Sequence, residues 1–265
     1  MKNQSVISCD DISVVAFSSE EYAENFSDDH CHDRYEITYL LSAHGRYIVE
    51  GDEHKVSNGS LLLISPMSYH KVELEASDIE GISIKFSKAI LSDSVRTLLD
   101  GLCDGVDVHG RLYSAALVSE SLISVFDRFS LAQELKEGRE SYLQALLTEV
   151  IVLLSAAEGE LMVVSEDELG ARVARYLNSN FRKDVSLDRL ARRFFVSKYH
   201  LCRAFKEYSG ISVHAYVNHK RIIFAKSLIE SGMTASGAAE KVGFGDYSAF
   251  YRAYVKILGK SPNAN

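Results

Sequence analysis

The side chains best suited to chemistry gather near the start of the chain, where His30, His32 and Glu36 are followed at a distance by His70. Three imidazoles and a carboxylate can hold iron, manganese, nickel or zinc and leave positions open for a substrate. His30, His32 and Glu36 have one parity, so along an extended strand their side chains share a face. Cys31 has the opposite parity and is the poorest ligand of the group. The same side chains can instead line a polar pocket for a small molecule. We read them in that second way, as a pocket of His30, His32, Glu36, Tyr39, Tyr47 and His70 with no catalytic residue, resident metal or cofactor. His30, His32, Glu36 and His70 remain the candidates should a metal bind. No nucleophilic triad or phosphate-binding loop is visible, and Gly243-Phe244-Gly245 reads as a turn.

A different chemistry, the holding of a polyanion, is written twice in the last third of the chain. The first copy runs Ser186 to Ala191, Phe194 to Ser197 and Tyr199 to Lys206; the second runs Ala235 to Glu240, Val242 to Asp246 and Tyr247 to Tyr254. Each is a short helix, a tight turn and a second helix with an arginine near its start. That grammar suits an element lying in a DNA major groove. Arg203 and Arg252 can each grip a guanine in bidentate fashion or hold a phosphate. Lys198, Lys206, Arg192, Arg193 and Lys256 suit backbone contact or a solvated surface, whereas Leu190, Leu201, Phe205 and Phe250 read as core.

Short β-rich runs must carry the histidines and Glu36. Val6–Ser8, Ser13–Phe17, Tyr35–Leu41, Arg46–Glu50, His54–Val56, Ser60–Ser65 and Ile79–Phe86 read as strands, with Gly51-Asp52 as a hairpin turn and Pro66 ending one run. Tyr35, Ile37, Tyr39 and Tyr47 or Ile48 read as inward residues. Many short strands at this spacing argue for a sandwich or small barrel. From Asp93 the period changes. Val95, Leu98, Leu99 and Leu102 predict a short helix. Leu112–Leu131 reads as a longer one, with Leu117, Ile123 or Leu122, and Phe126 on one stripe. Leu143, Leu146, Leu147, Val150, Leu153 and Leu154 keep the i, i+3, i+4, i+7 rule to a helix end near Glu158-Gly159-Glu160. That stripe can pack on the strands or pair with its copy in a two-fold dimer, and we favour the dimer. Further helices are predicted over Leu169–Phe181 and Ser212–Ile229. Ser186, Ser197 and Asp246 serve as N-caps, and Gly210 and Gly232 end helices.

Charge separates the two halves. Residues 1–164 hold 12 Lys and Arg against 28 Asp and Glu, whereas residues 165–265 hold 17 against 9. An acidic half grips a DNA backbone poorly and a basic half grips it well. No apolar run reaches the roughly 18 residues a membrane-spanning helix needs. The first residues lack the apolar core of a signal peptide, which predicts a cytoplasmic protein. Cys9, Cys31, Cys103 and Cys202 are scattered without a Cys-x-x-Cys pair, as suits reduced thiols.

The text from Ser186 through Gly210, Ala225–Ile229, Ala239–Phe244 and Gly259–Pro262 resembles the DNA-binding domain of AraC/XylS-type transcriptional regulators. His-x-His-x-x-x-Glu with a distant His resembles the metal motif of cupin barrels, although Gly45 lies late and Ser68 stands where a cupin has glycine. These resemblances imply a two-domain α+β fold. Residues 1–160 would form a cupin-like effector-binding and dimerisation barrel with two trailing helices. Residues 161–265 would form an all-α DNA-binding domain with helix-turn-helix units at about 186–209 and 235–257. By position on that family, Tyr199, Cys202, Arg203, Tyr247, Ser248, Tyr251 and Arg252 meet base edges. The implied protein is a sequence-specific activator, homodimeric and not an enzyme. It would be controlled by a small molecule, by analogy a carbohydrate, with double-stranded DNA and RNA polymerase as partners and no membrane. Two alternatives stay open, a metal-dependent cupin enzyme fused to a DNA-binding domain and a ligand-independent dimeric regulator. One departure from the family pattern is Ala235 and Ala238 where large aliphatics are usual. This predicts a looser second unit, unless Phe224 or Tyr254 fills the gap, and specificity dominated by the first.

Overall fold

Backbone pairing and helix periodicity organise the chain into two compact units. The computed structural model describes residues 5–9, 11–19, 31–75, 79–103, 108–163 and 168–263. The first unit takes in Met1–His30, Arg34–Val49 and Glu53–Val163; the second takes in Cys31–Asp33, Glu50–Asp52 and Val164–Asn265.

The first unit is built on strands β1 (Ser5–Cys9), β2 (Ile12–Ser18), β3 (Tyr35–Ser42), β4 (Gly45–Val49), β5 (Asp52–Val56), β6 (Leu61–Ile64), β7 (His70–Leu74), β8 (Glu80–Phe86), β9 (Val108–Tyr113) and β10 (Glu160–Val163). They form a seven-stranded sheet in the order β1-β2-β8-β3-β6-β9-β10 and a three-stranded sheet in the order β5-β4-β7. Alternation along the strands splits the core in two. Ile37, Tyr39, Leu61, Leu63, Ile84 and Phe86 face helices α1 (Asp93–Leu102), α2 (Glu120–Phe129) and α3 (Arg139–Ser155). Leu40, Leu62 and Ile64 face the other way and join Tyr47, Val49, Val56 and Val72 of the small sheet. The larger sheet therefore buries apolar residues on both faces, as a sheet covered on both sides does.

Several sequence expectations change here. The segment expected as a helix from Leu112 to Leu131 begins as strand β9, which pairs with β6 and β10, and α2 starts only after Ser119. The Ser119 hydroxyl accepts from the Leu122 amide and fixes that start. Leu117, expected on the inward stripe, lies in a short 3-10 turn and is 42% exposed. The α3 helix ends at Ser155, and Glu160 opens a strand instead of closing the helix. The short helix expected at Val95–Leu102 is α1, and α2 and α3 are the two helices expected after it. The apolar stripe of α3, favoured as a dimer seam, is consumed within the unit, since Leu143, Leu146, Leu147, Val150, Ile151 and Leu154 are all buried in its core.

The second unit contains α4 (Leu169–Asn180), α5 (Leu187–Phe194), α6 (Lys198–Ser209), α7 (Val213–Glu230), α8 (Ala235–Lys241) and α9 (Tyr247–Leu258). Their boundaries follow from caps. Ser197, Ser212, Thr234 and Asp246 each accept a first-turn amide, and Gly210 and Gly259 end α6 and α9 with left-handed backbone. Leu190, Leu201, Phe205 and Phe250 are buried. Of the two outcomes expected at the second copy's alanines, the filled one holds. Ala238 is fully buried in a cluster with Ile222, Val242, Phe250 and Tyr254, and Phe224, Leu228 and Met233 pack against it. Small side chains on α8 let this short helix sit close to α7, and the aromatic rings supply the missing volume.

Candidate nucleic-acid interface and effector site

Two helix-turn-helix units present their second helices to solvent. In the first, α5 ends at Phe195, whose φ of 57° turns the chain sharply, and the Ser197 hydroxyl then caps α6 through the His200 amide. Leu201 and Phe205 bury one side of α6, so the other side presents Lys198, Tyr199, Arg203 and Lys206, all exposed, with Cys202 half-buried at the edge. Tyr199 is 77% exposed. Arg203 Nε donates to Glu207 Oε1 at 2.8 Å, and this partner holds its guanidinium firmly protonated. Lys198 reaches Asp188 at 2.7 Å. Arg192 and Arg193 are exposed, the latter stacked 4.2 Å over the Tyr176 ring.

The second unit repeats the plan. Asp246 Oδ1 accepts from the Ala249 amide at 2.7 Å, and Phe250 and Tyr254 anchor α9 to α7 and α8. Tyr247, Ser248, Tyr251 and Arg252 are left exposed, with the rings of Tyr247 and Tyr251 6.5 Å apart along one face; Lys256 is exposed as well. All the residues expected at base edges thus lie on the two free helix faces, Cys202 being the least open. Between the units runs α7, whose 18 residues span about 27 Å. One residue not singled out from the sequence ties the second copy, and the segment leading into the first, to it. Arg221 donates to the carbonyls of Phe181 at 2.6 Å, Lys183 at 2.8 Å and Gly243 at 2.9 Å. Its three acceptors belong to the segment before the first copy and the turn of the second. A lone arginine among the apolar positions of a long helix was the available signal.

The effector candidates separate by strand parity. Glu36 on β3 stands opposite Lys85 on β8, and Thr38 stands opposite Ser83, so these four share a face. Glu36 is 1% exposed, and its Oε1 accepts from Ser83 at 2.6 Å and Thr38 at 3.2 Å. Its Oε2 lies 3.2 Å from His70 Nε2 and 3.5 Å from Lys85 Nζ. His70 Nδ1 lies 2.9 Å from the Ser68 carbonyl, which can only accept, so Nδ1 carries the proton there. The Tyr47 ring stacks on His70 with centroids 6.1 Å apart. Tyr39 does not join this group. Its odd parity turns it to the opposite face, where it stacks on Phe126 at 4.9 Å, and the same parity removes Tyr35 and Ile37 from the pocket. His30 lies outside the described residues. His32 is half-buried and belongs with the second unit, whereas Glu36 and His70 belong to the first. An imidazole and a carboxylate such as His70 and Glu36 are chemically able to take a divalent transition metal. Glu36, however, already accepts from the Ser83 and Thr38 hydroxyls and lies beside the Lys85 ammonium, partners a buried carboxylate can have without any metal.

Family models place both halves. Residues 12–163 match the AraC-like ligand binding domain, and residues 190–264 match a helix-turn-helix domain. The chain belongs to the AraC family of transcriptional regulators. AraC-family regulators bind DNA and small-molecule effectors, and the two-domain α+β architecture with a sheet-rich first half and a helical second half follows that plan. Similar proteins include the HTH-type transcriptional regulator YbfI of Bacillus subtilis, 26% identical over 225 residues, or 83% of this chain and 80% of that one. The HTH-type transcriptional activator RhaS of Escherichia fergusonii is 24% identical and covers 88% of this chain and 85% of its own. The MmsAB operon regulatory protein of Pseudomonas aeruginosa is 28% identical over 88% of this chain and 75% of its own. Among solved structures, ToxT from Vibrio cholerae O395 aligns over 96% of both chains at 14% identity with a TM-score of 0.40. Among the described residues no helix is long and apolar enough to cross a membrane.

Proposed function

We propose that this AraC-family regulator reads a bipartite DNA site with α6 and α9, and that a small polar effector bound beside Glu36, Tyr47 and His70 controls it. The observation that carries the reading is the pair of capped helices whose inner faces are buried and whose outer faces offer Tyr199 and Arg203, then Tyr247, Tyr251 and Arg252. Arginine and tyrosine at these places can meet base edges, while Lys198 and Lys206 neutralise phosphates. The effector side rests on the polar cluster of Glu36, Tyr47 and His70, which lies within the stretch that matches the AraC-like ligand binding domain. Activation of transcription is the expected output by analogy with RhaS, whose name describes an activator, and RNA polymerase is then a further partner. We further propose that the chain acts in the cytoplasm as a homodimer, since paired half-sites suit paired proteins. With the α3 stripe buried, the dimer seam lies elsewhere. Selection of binding sites from random duplex DNA, with and without candidate metabolites, tests the reading. Recovery of one bipartite sequence whose affinity shifts with a metabolite supports it; recovery of no preferred sequence refutes it.

A further inference from the structure

The second unit contains a buried ion pair whose members are 170 residues apart in sequence. Lys220 Nζ on α7 lies 2.9 Å from Glu50 Oε1, and the two side chains are 2% and 0% exposed. Glu50 Oε2 and Asn178 Oδ1 on α4 both face the single proton of the Tyr216 hydroxyl, the latter at 2.5 Å, and Asn178 also lies 2.5 Å from Lys220 Nζ. Two residues on, Asp52 Oδ2 accepts from the Tyr208 hydroxyl at 3.3 Å. Between them Gly51 has a φ of 98°, and a Cβ there would lie 2.7 Å from the Tyr208 ring and carbonyl, so only glycine allows this approach. Glu50 itself has a φ of 52°. A turn with two left-handed residues favours Asn-Gly, and a glutamate in its first position works against the backbone. The carboxylate it delivers to Lys220 is what the turn gains in exchange.

The residues gripped by this turn mark one corner. Tyr208 is in the last turn of α6, and Tyr216 and Lys220 are in the first two turns of α7. The three-residue segment Glu50–Asp52 therefore holds the end of one recognition helix against the start of the helix that leads to the other.

We infer that Glu50, paired with Lys220, is a positioning residue for DNA binding: it fixes the angle between α6 and α7 and thereby the spacing of the two half-elements that the chain accepts. The segment Glu50–Asp52, which belongs to the second unit, is then part of the DNA-reading apparatus. The inference rests on the reading that both α6 and α9 enter DNA. It is tested with the full chain on a duplex selected from random sequence, and on versions with one base pair inserted or removed between the half-elements. Wild-type protein is expected to favour the selected spacing by about tenfold or more, and Glu50→Gln to reduce that preference to about twofold or less. A common loss of affinity on all three duplexes, as a merely structural role would give, overturns the inference, as does an unchanged preference. If Glu50→Gln does not fold by circular dichroism, the double variant Glu50→Leu/Lys220→Met removes both buried charges and is read in the same way. It is expected to fold and to lose the preference. A retained preference, or failure of the double variant to fold, overturns the inference. Wild-type protein indifferent to spacing refutes the two-helix reading itself, and this inference with it.

Discussion

In the free chain, the guanidinium of Arg203 rests on Glu207 one turn further along α6, with Nε 2.8 Å from Oε1 and both side chains more than 60% exposed. To reach a guanine it must leave that partner. An exposed pair at this spacing shifts an equilibrium by about twofold, whereas a bidentate guanine contact shifts it by about five- to 150-fold. The DNA contact wins. Arg203→Ala is therefore expected to weaken binding to the selected duplex by about five- to 150-fold while changing binding to a random duplex far less. Glu207→Ala is expected to strengthen binding to both duplexes by about twofold, because it frees Arg203 and removes a negative charge from a face presented to phosphates. Fluorescence anisotropy titrations at one fixed ionic strength measure both effects, with circular dichroism to confirm the fold. If Arg203→Ala weakens both duplexes by the same factor, Arg203 holds a phosphate and the base-reading argument fails.

Three further outcomes are expected. Ala238 is fully buried among Phe250, Tyr254 and Ile222, so Ala238→Leu overpacks the second copy and costs about 1–3 kcal/mol in urea unfolding; a neutral or stabilising result would restore the gap that the alanines suggest. Burial, reinforced by the neighbouring Lys220 charge, depresses the His219 imidazole from 6.5 to about 4. Its contribution is present above pH 6.5 and is lost as pH falls toward 4, on the order of 3 kcal/mol in all; His219→Leu should flatten the acid side of the stability profile in that window, and an unchanged profile contradicts it. Because Glu36 already accepts from Ser83 and Thr38, protein purified without added metal is expected to carry well under one transition-metal ion per chain. Stoichiometric metal that is lost in His70→Ala would instead favour the metal-site reading.

The C-terminal half was legible because its boundaries are set by local chemistry. Ser197, Ser212 and Asp246 cap the helices that follow them, and Gly210 stops α6 with the backbone only glycine adopts easily. The first half was less so. Leu112 and Tyr113 carry an apolar pattern that fits a helix as well as a buried strand, and only the ladder to β6 and β10 decides between them. Parity along β3 was available and was enough to part Tyr39 from Glu36. The roles of Glu50 and Lys220 could not be read from the sequence, since each is an ordinary charged residue until the fold brings together positions 170 apart. The packing of Ala238 was partly legible, since Phe224 of α7 and Tyr254 of α9 were the rings expected to fill the space if it was filled, and both pack there together with Phe250.

The central claim is sequence-specific DNA reading by a basic C-terminal half, 17 Lys and Arg against 9 Asp and Glu. Its most direct test is the affinity of the purified chain for the selected duplex and for a scrambled duplex of equal length, followed from low to physiological salt. Preference for the selected duplex by about a thousandfold or more is predicted at physiological salt, with a steep fall in affinity on both duplexes as salt rises. Equal affinity for the two duplexes, or binding indifferent to salt, would contradict the account.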